Sequence, residues 1–217
     1  LVMDKVVVAA VSMLVVVIVV SGFVVFSMRA RASPGTGLEE CHTLVYNGDE
    51  AIDVVFFSSE QVAQEYMDAL LAYKPFDEFV KNFNLHVIEE YEPECDLYKG
   101  IALLCHSRRL AKVASSCPND YVVVVQDHPS SIRSSAYMNV LSINGRHPKS
   151  VMAHEFGHAF ANFAEEYTPA KLPKGVENCQ LACSGFGGVG GCYGGCSSGD
   201  AFRSAEAGVM RTLRSDH

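Results

Sequence analysis

The stretch His154-Glu155-Phe156-Gly157-His158, with its flanks from Pro148 to Tyr167, decides the reading of this chain. In an α-helix, residues i and i+4 share one face, so His154 and His158 can aim their imidazoles at a single metal ion. Glu155 stands one position round the helix, beside the metal rather than on it. A carboxylate there can take a proton from a water activated by the metal. Pro148 suits a first helical position, where its missing N–H costs nothing. From there Met152, Phe156, Ala159 and Phe160 recur at helical spacing as an apolar stripe. The two histidines project from the opposite side, the division that a buried helix with one metal-facing stripe requires.

A catalytic zinc site takes three protein ligands and keeps a fourth position open. Beyond His158 the chain offers two carboxylates, Glu165 and Glu166. On a continuing helix, Glu165 would lie about 10 Å along the axis from His158, too far to share its metal. The chain must therefore turn. Asn162 is the candidate, because asparagine tolerates the left-handed conformation that ends helices. A turn there swings Glu165 or Glu166 back towards the histidines.

The segment His154 to Tyr167, HEFGHAFANFAEEY, resembles the active-site segment of the IgA-specific metallopeptidase family, a metzincin-like group of zinc peptidases. That family carries HEFGH, then a glycine, then an Asp-Glu-Tyr triplet with the third ligand three residues after the glycine. Here Asn162 stands for the glycine and Glu165 for the aspartate, so the resemblance implies Glu165 as third ligand, with Glu166 as the alternative. Further pieces match in order. Ile52-Asp53-Val54-Val55-Phe56-Phe57 is similar to the family's first strand, and Lys74 to Phe79 with Phe83-Asn84 to its Pro-Phe … Phe-Asn segment. Gly208-Val209-Met210-Arg211 is similar to its methionine turn. Alone, Met210 reads as core filler; after such a helix it reads as an apolar floor beneath the metal. The resemblance implies an α/β (α+β) zincin of metzincin-like type, with a mixed twisted sheet, an active-site helix and a small Cys/Gly-rich C-terminal subdomain. It implies hydrolysis of a peptide or protein substrate with Zn2+ as cofactor: His154, His158 and Glu165 as ligands, Glu155 as general base and acid. The family normally continues past the methionine turn, which implies a further C-terminal segment.

The other end of the chain bears on location. Val6 to Ser27 carries no charge and is long enough to cross a bilayer as one helix. A cleaved signal peptide has a shorter apolar region, so residues 1–27 read as a transmembrane anchor. Ala30-Arg31-Ala32 resembles a cleavage site, which would release a secreted form. The flanking charges mildly favour a cytoplasmic domain. The cysteines argue the opposite: all eight lie after the apolar segment, as in proteins of oxidising compartments. The expected topology is single-pass with the catalytic domain outside the cytoplasm. Cys179-x3-Cys183 and Cys192-x3-Cys196 could instead hold a structural zinc, but zinc ribbons favour a two-residue gap, and disulfides are the expectation. The glycine-rich run between them needs such staples to be ordered.

The remainder divides into a linker, residues 28–48, and one domain, 49–217, within the size range of a single core. Strands are expected at Ile52 to Phe57, Leu85 to Glu90, Tyr121 to Val125 and, more weakly, Met138 to Ile143. Helices are expected at Glu60 to Tyr73 and Arg109 to Ser115. By analogy with metzincins, Tyr137 to Leu141 borders the cleft and pairs with substrate backbone, ordinary pairing being the default. A net charge of −8 without a basic stripe excludes nucleic acid as a partner. His42, His86, His106, His128, His147 and His217 lack paired spacing and read as surface or core residues. Tyr167 reads as apolar packing rather than as an oxyanion donor. Two other classes stand beside the peptidase: a catalytically silent binding domain of the same fold, and a structural-zinc module built on the C-terminal cysteines.

Overall fold

The computed structural model describes residues 40–188 and 190–213. The expected anchor (1–27), the cleavage site at Ala32, most of the linker and His217 lie outside the described residues. Among the described residues no helix is long and apolar enough to cross a membrane. The fold is mixed α/β, built on a six-stranded mixed sheet.

The central strands of the sheet are buried along nearly their whole length, polar Asn84, His86, Ser142 and Asn144 included. β2 (Ile52–Phe57), β3 (Phe83–Val87), β6 (Tyr121–Gln126) and β8 (Val140–Asn144) pair in parallel. Parallel strands are covered on both faces, which is why Val54, Val55 and Phe56 are all fully buried. Successive residues go to opposite cores. Val54 and Phe56 pack with Ala63, Tyr66, Met67 and Leu70 of α1 (Glu60–Leu71). Val55 and Phe57 pack with Leu110, Val113 and Ala114 of α2 (Arg108–Ala114). Ser59 and Ser107 begin these helices as side-chain caps on Val62 and Leu110.

Antiparallel strands close both edges, giving the order β1-β3-β2-β6-β8-β7 with β1 (His42–Val45) and β7 (Ser135–Tyr137) outermost. One expectation needs correction here. The linker does not reach residue 48, because His42–Val45 is a strand paired with β3. Its first two residues, His42 and Thr43, are polar and exposed and hide the strand in the sequence. The default expectation for the strand before the histidine helix holds: β8 is paired on both sides, and β7, which carries Tyr137, is the edge. Other boundaries shift by two or three residues, as with Phe83–Val87 in place of Leu85 to Glu90.

All eight cysteines form disulfides, Cys41–Cys117, Cys95–Cys105, Cys179–Cys196 and Cys183–Cys192. Cys41–Cys117 ties the start of edge strand β1 to the end of α2 across 76 residues of chain. Cys95–Cys105 closes the hairpin of β4 (Asp96–Tyr98) and β5 (Ala102–Leu104). The last two are nested, stapling the small sheet of β9 (Cys179–Gln180), β10 (Tyr193–Cys196) and β11 (Ser198–Arg203). Removing Cys41–Cys117 by paired serine substitution is expected to cost about 4 kcal/mol on the chain-entropy estimate. A denaturant midpoint within error of wild type would contradict that.

Candidate metal centre

The histidines stand on α3 (Val151–Ala161), the helix that follows β8. It begins three residues later than Pro148 would have it. Pro148 and Lys149 instead form a turn whose carbonyls accept from Val151 N and Met152 N. One face is fixed by aromatic packing: Phe156 is fully buried and meets Phe76, Phe83 and Tyr121 at ring distances of 5.4, 6.0 and 4.9 Å. Phe160, expected in the same stripe, is about half exposed and stacks on Phe156. The opposite face is also covered. Val151 through Gly157 are all buried, His154 and Glu155 among them.

Asn162 ends the helix in the left-handed conformation, φ 51° and ψ 36°. Its N–H and that of Phe163 both reach the Gly157 carbonyl, so the chain reverses within one turn. The reversal brings the Glu165 carboxylate onto the two imidazoles. His154 Nε2 and His158 Nε2 are 3.2 Å apart, and Glu165 lies 3.2 Å from the first and 3.5 Å from the second. The two distances go to different carboxylate oxygens, Oε2 and Oε1, and one donor atom from each of the three residues lies within 4.8 Å of the others, close enough to share one ion. His154, His158 and Glu165 form the cluster able to hold a metal among the described residues. Glu166 does not join it. Its carboxyl turns to Asn178, 3.2 Å away, in an environment whose burial pushes its pKa up.

The surroundings fix which atoms face the centre. His154 Nδ1 donates to the Val209 carbonyl at 2.9 Å, and His158 Nδ1 to the Phe163 carbonyl at 2.6 Å. Each ring thereby keeps Nε2 for the metal. Glu165 Oε2 is buried and has no hydrogen-bond partner, although it lies 3.2 Å from His154 Nε2. A buried carboxylate facing two imidazoles in this way has the chemistry of a cation's donor set. In the metal-free state, protons take up part of that role. Burial acts to lower the His154 pKa, but the Glu165 contact and the Glu155 charge outweigh it and push the imidazole up to about 9. His158 is raised by the same balance. Burial works against ionisation of Glu165, yet the two imidazoles hold its carboxyl well below the usual range. Glu155 makes no such contact and is only 5% exposed, and burial pushes it up to about 7.

Two residues absent from the sequence reading hold the third donor in place. Asn178 accepts from Ala164 N and donates to Ala164 O, both at 2.8 Å, and also reaches Glu166. Ser197, in a left-handed conformation (φ 59°) and 1% exposed, donates to the Glu165 carbonyl at 2.7 Å. Both adjoin the Cys179–Cys196 disulfide, whose pairing the cysteine spacing does not reveal. Beneath them Gly208 to Arg211 forms a turn, with Arg211 N donating to Gly208 O, and Glu166 N bonds the Met210 carbonyl. Met210 is buried directly under the helix: a Cβ at Gly157 would meet its Sδ at 2.8 Å. The close approach explains a glycine between the two histidines, where helix propensity disfavours one.

Glu155 and Glu165 open onto a cavity of about 340 Å³ whose wall includes Arg133, Val151, Tyr167 and Leu213. Tyr167 therefore faces the site rather than packing away from it, and burial followed by the Glu165 charge pushes its phenol up to about 12. A larger space of about 660 Å³ lies at the carboxyl ends of β2 and β6 and touches none of the three clustered side chains. His86 is satisfied in the core by Thr43 and Asp53. His147 lines the smaller cavity without joining the cluster. No family model and no curated protein matches the chain.

Proposed function

We propose that this chain is a membrane-anchored zinc-dependent endopeptidase, with zinc held by His154, His158 and Glu165. The observation that carries the reading is the small triangle of two imidazoles and one carboxylate with Glu155 buried at its side. Two histidines and a carboxylate also suit iron in oxygenases. A neighbouring carboxyl poised near pH 7 favours hydrolysis, which needs a proton acceptor at that spot. The likeness of His154 to Tyr167 to the IgA-specific metallopeptidases supports the same choice. When bound, zinc supplies Lewis acidity, acidifying water and polarising a substrate carbonyl.

The chain's own groups do the rest. Val209 and Phe163 carbonyls hold the two Nδ1 protons, so neither imidazole rotates or competes for the proton in transit. Glu155 accepts a proton from the attacking water and delivers it to the leaving amine, breaking the peptide bond without a charged amine anion. Tyr167, kept protonated by its raised pKa, offers a hydrogen-bond donor on the cavity side. Four disulfides favour an oxidising compartment, which with the apolar residues 6–27 supports an extracytoplasmic domain on a membrane anchor.

The structural-zinc alternative is disfavoured, since Cys179, Cys183, Cys192 and Cys196 are consumed by two disulfides. Elemental analysis of the oxidised full chain separates the readings. One zinc per chain is expected in wild type and none in His154→Ala. Zinc retained by His154→Ala would leave the peptidase reading without its centre. Stoichiometric zinc with no turnover on any peptide would favour the silent binding domain.

A further inference from the structure

The cavity beside Glu155 is lined by the apolar Val151 and Leu213 together with the cationic Arg133. Arg133 is the only lysine or arginine among the described residues that line it. Its backbone is locked from both directions, N–H to the Ile101 carbonyl at 2.8 Å and carbonyl to Leu103 N–H at 2.9 Å. Those partners belong to the hairpin that Cys95–Cys105 closes, so the position is rigid rather than a loose loop. Ser134, the next residue, is buried and accepts from Asn144 N at 2.9 Å.

The guanidinium itself is uncommitted: among the described residues it makes no hydrogen bond or ion pair. Two carboxylates share the cavity, but Glu165 is taken up by the imidazoles and Glu155 is buried in the helix. A chain with net charge −8 has many acidic groups to offer a surface arginine, and this one has none. Its charge is felt across the cavity at the Tyr167 hydroxyl. A planar fork of donors in a cavity that also has apolar lining suits a short aliphatic stem ending in a carboxylate.

We propose that this cavity is a specificity subsite that seats a substrate carboxylate on Arg133, supplied by an acidic side chain or by a free C-terminus. The inference rests on the peptidase reading for its substrate class, but its test is a binding measurement. The zinc-loaded full chain carrying Glu155→Gln is titrated with four peptides: a blocked peptide with an internal glutamate, its glutamine counterpart, and a neutral peptide with free or amidated C-terminus. One carboxylate peptide is expected to bind roughly tenfold tighter than its neutral twin, and which pair differs identifies the source. Adding Arg133→Ala erases the difference, and Arg133→Lys restores part of it, since a point charge replaces the fork. Arg133 is exposed, so neither change threatens folding. Equal binding within both pairs, or a preference that survives Arg133→Ala, overturns the proposal. A wild type that cuts none of these peptides while the Arg133-dependent preference holds removes the peptidase reading and leaves the carboxylate subsite standing.

Discussion

Glu155→Gln keeps the metal and loses about 10²–10⁴-fold in turnover, the usual worth of a positioned general base and acid. The substitution is close to isosteric, so the packing that leaves Glu155 5% exposed is preserved. It removes one property, the ability to carry a proton. The native carboxyl is well suited to that task, because burial pushes it up to about 7, where it can both accept and release a proton near neutrality. It lies outside the triangle of Nε2 and carboxylate oxygens, so ligand geometry is untouched. Steady-state kinetics on a peptide pool, with zinc measured on the same preparation, checks both halves. Parallel loss of zinc and activity would mean that Glu155 acts as a ligand or a structural prop, and the assigned role would fail.

The second large effect is a pH-dependent gap between metal-free and zinc-loaded stability. His154 in the metal-free chain sits at about 9, above its ordinary 6.5. A raised histidine stabilises fully below pH 6.5, and that contribution fades as pH climbs through about 9. Glu155, raised from 4.5 to about 7, runs the same way: its contribution is complete below 4.5 and gone above 7. Glu165 is depressed and opposes them, adding stability above its ordinary 4.5 that is lost in acid. The metal-free protein therefore weakens from mildly acid to alkaline pH. Zinc needs the imidazoles unprotonated, so each proton it displaces makes apparent affinity rise about tenfold per pH unit below the relevant pKa. Melting curves at pH 5, 7 and 9, with and without zinc, are expected to diverge as pH rises. Taking the difference at each pH cancels every group that the metal does not touch. A gap independent of pH would show that these histidines are not displaced of their protons by the metal.

How much of this was legible before the fold was known depended on the range of the interactions involved. The strand Ile52–Phe57 could be bounded from its apolar run alone, because a central parallel strand buries both faces. The turn at Asn162 followed from rise per residue: a straight helix could not bring a carboxylate back to His158. Edge strand His42–Val45 was hidden, since its polar positions match those of a linker and only pairing with β3 distinguishes them. Asn178 and Ser197 were hidden for a different reason. They act on backbone 14 and 32 residues away, so no local pattern announces them. Edge strand β7 was hidden as well, being only three residues long and too short to show a period.

The uneven origin of the three donors also sets an order in time. His154 and His158 come as a pair as soon as one helix forms, an event of microseconds or less. The third donor waits on chain that follows it: Ser197 grips the Glu165 carbonyl, Asn178 brackets Ala164, and Val209, 55 residues beyond His154, fixes the first imidazole. Asn178 and Ser197 flank the Cys179–Cys196 disulfide, and disulfide formation takes seconds to hours. A half-made chain thus carries two of the donors and none of the geometry that joins them to the third. The last piece to mature is the one that brings the Glu165 carboxylate onto the two imidazoles.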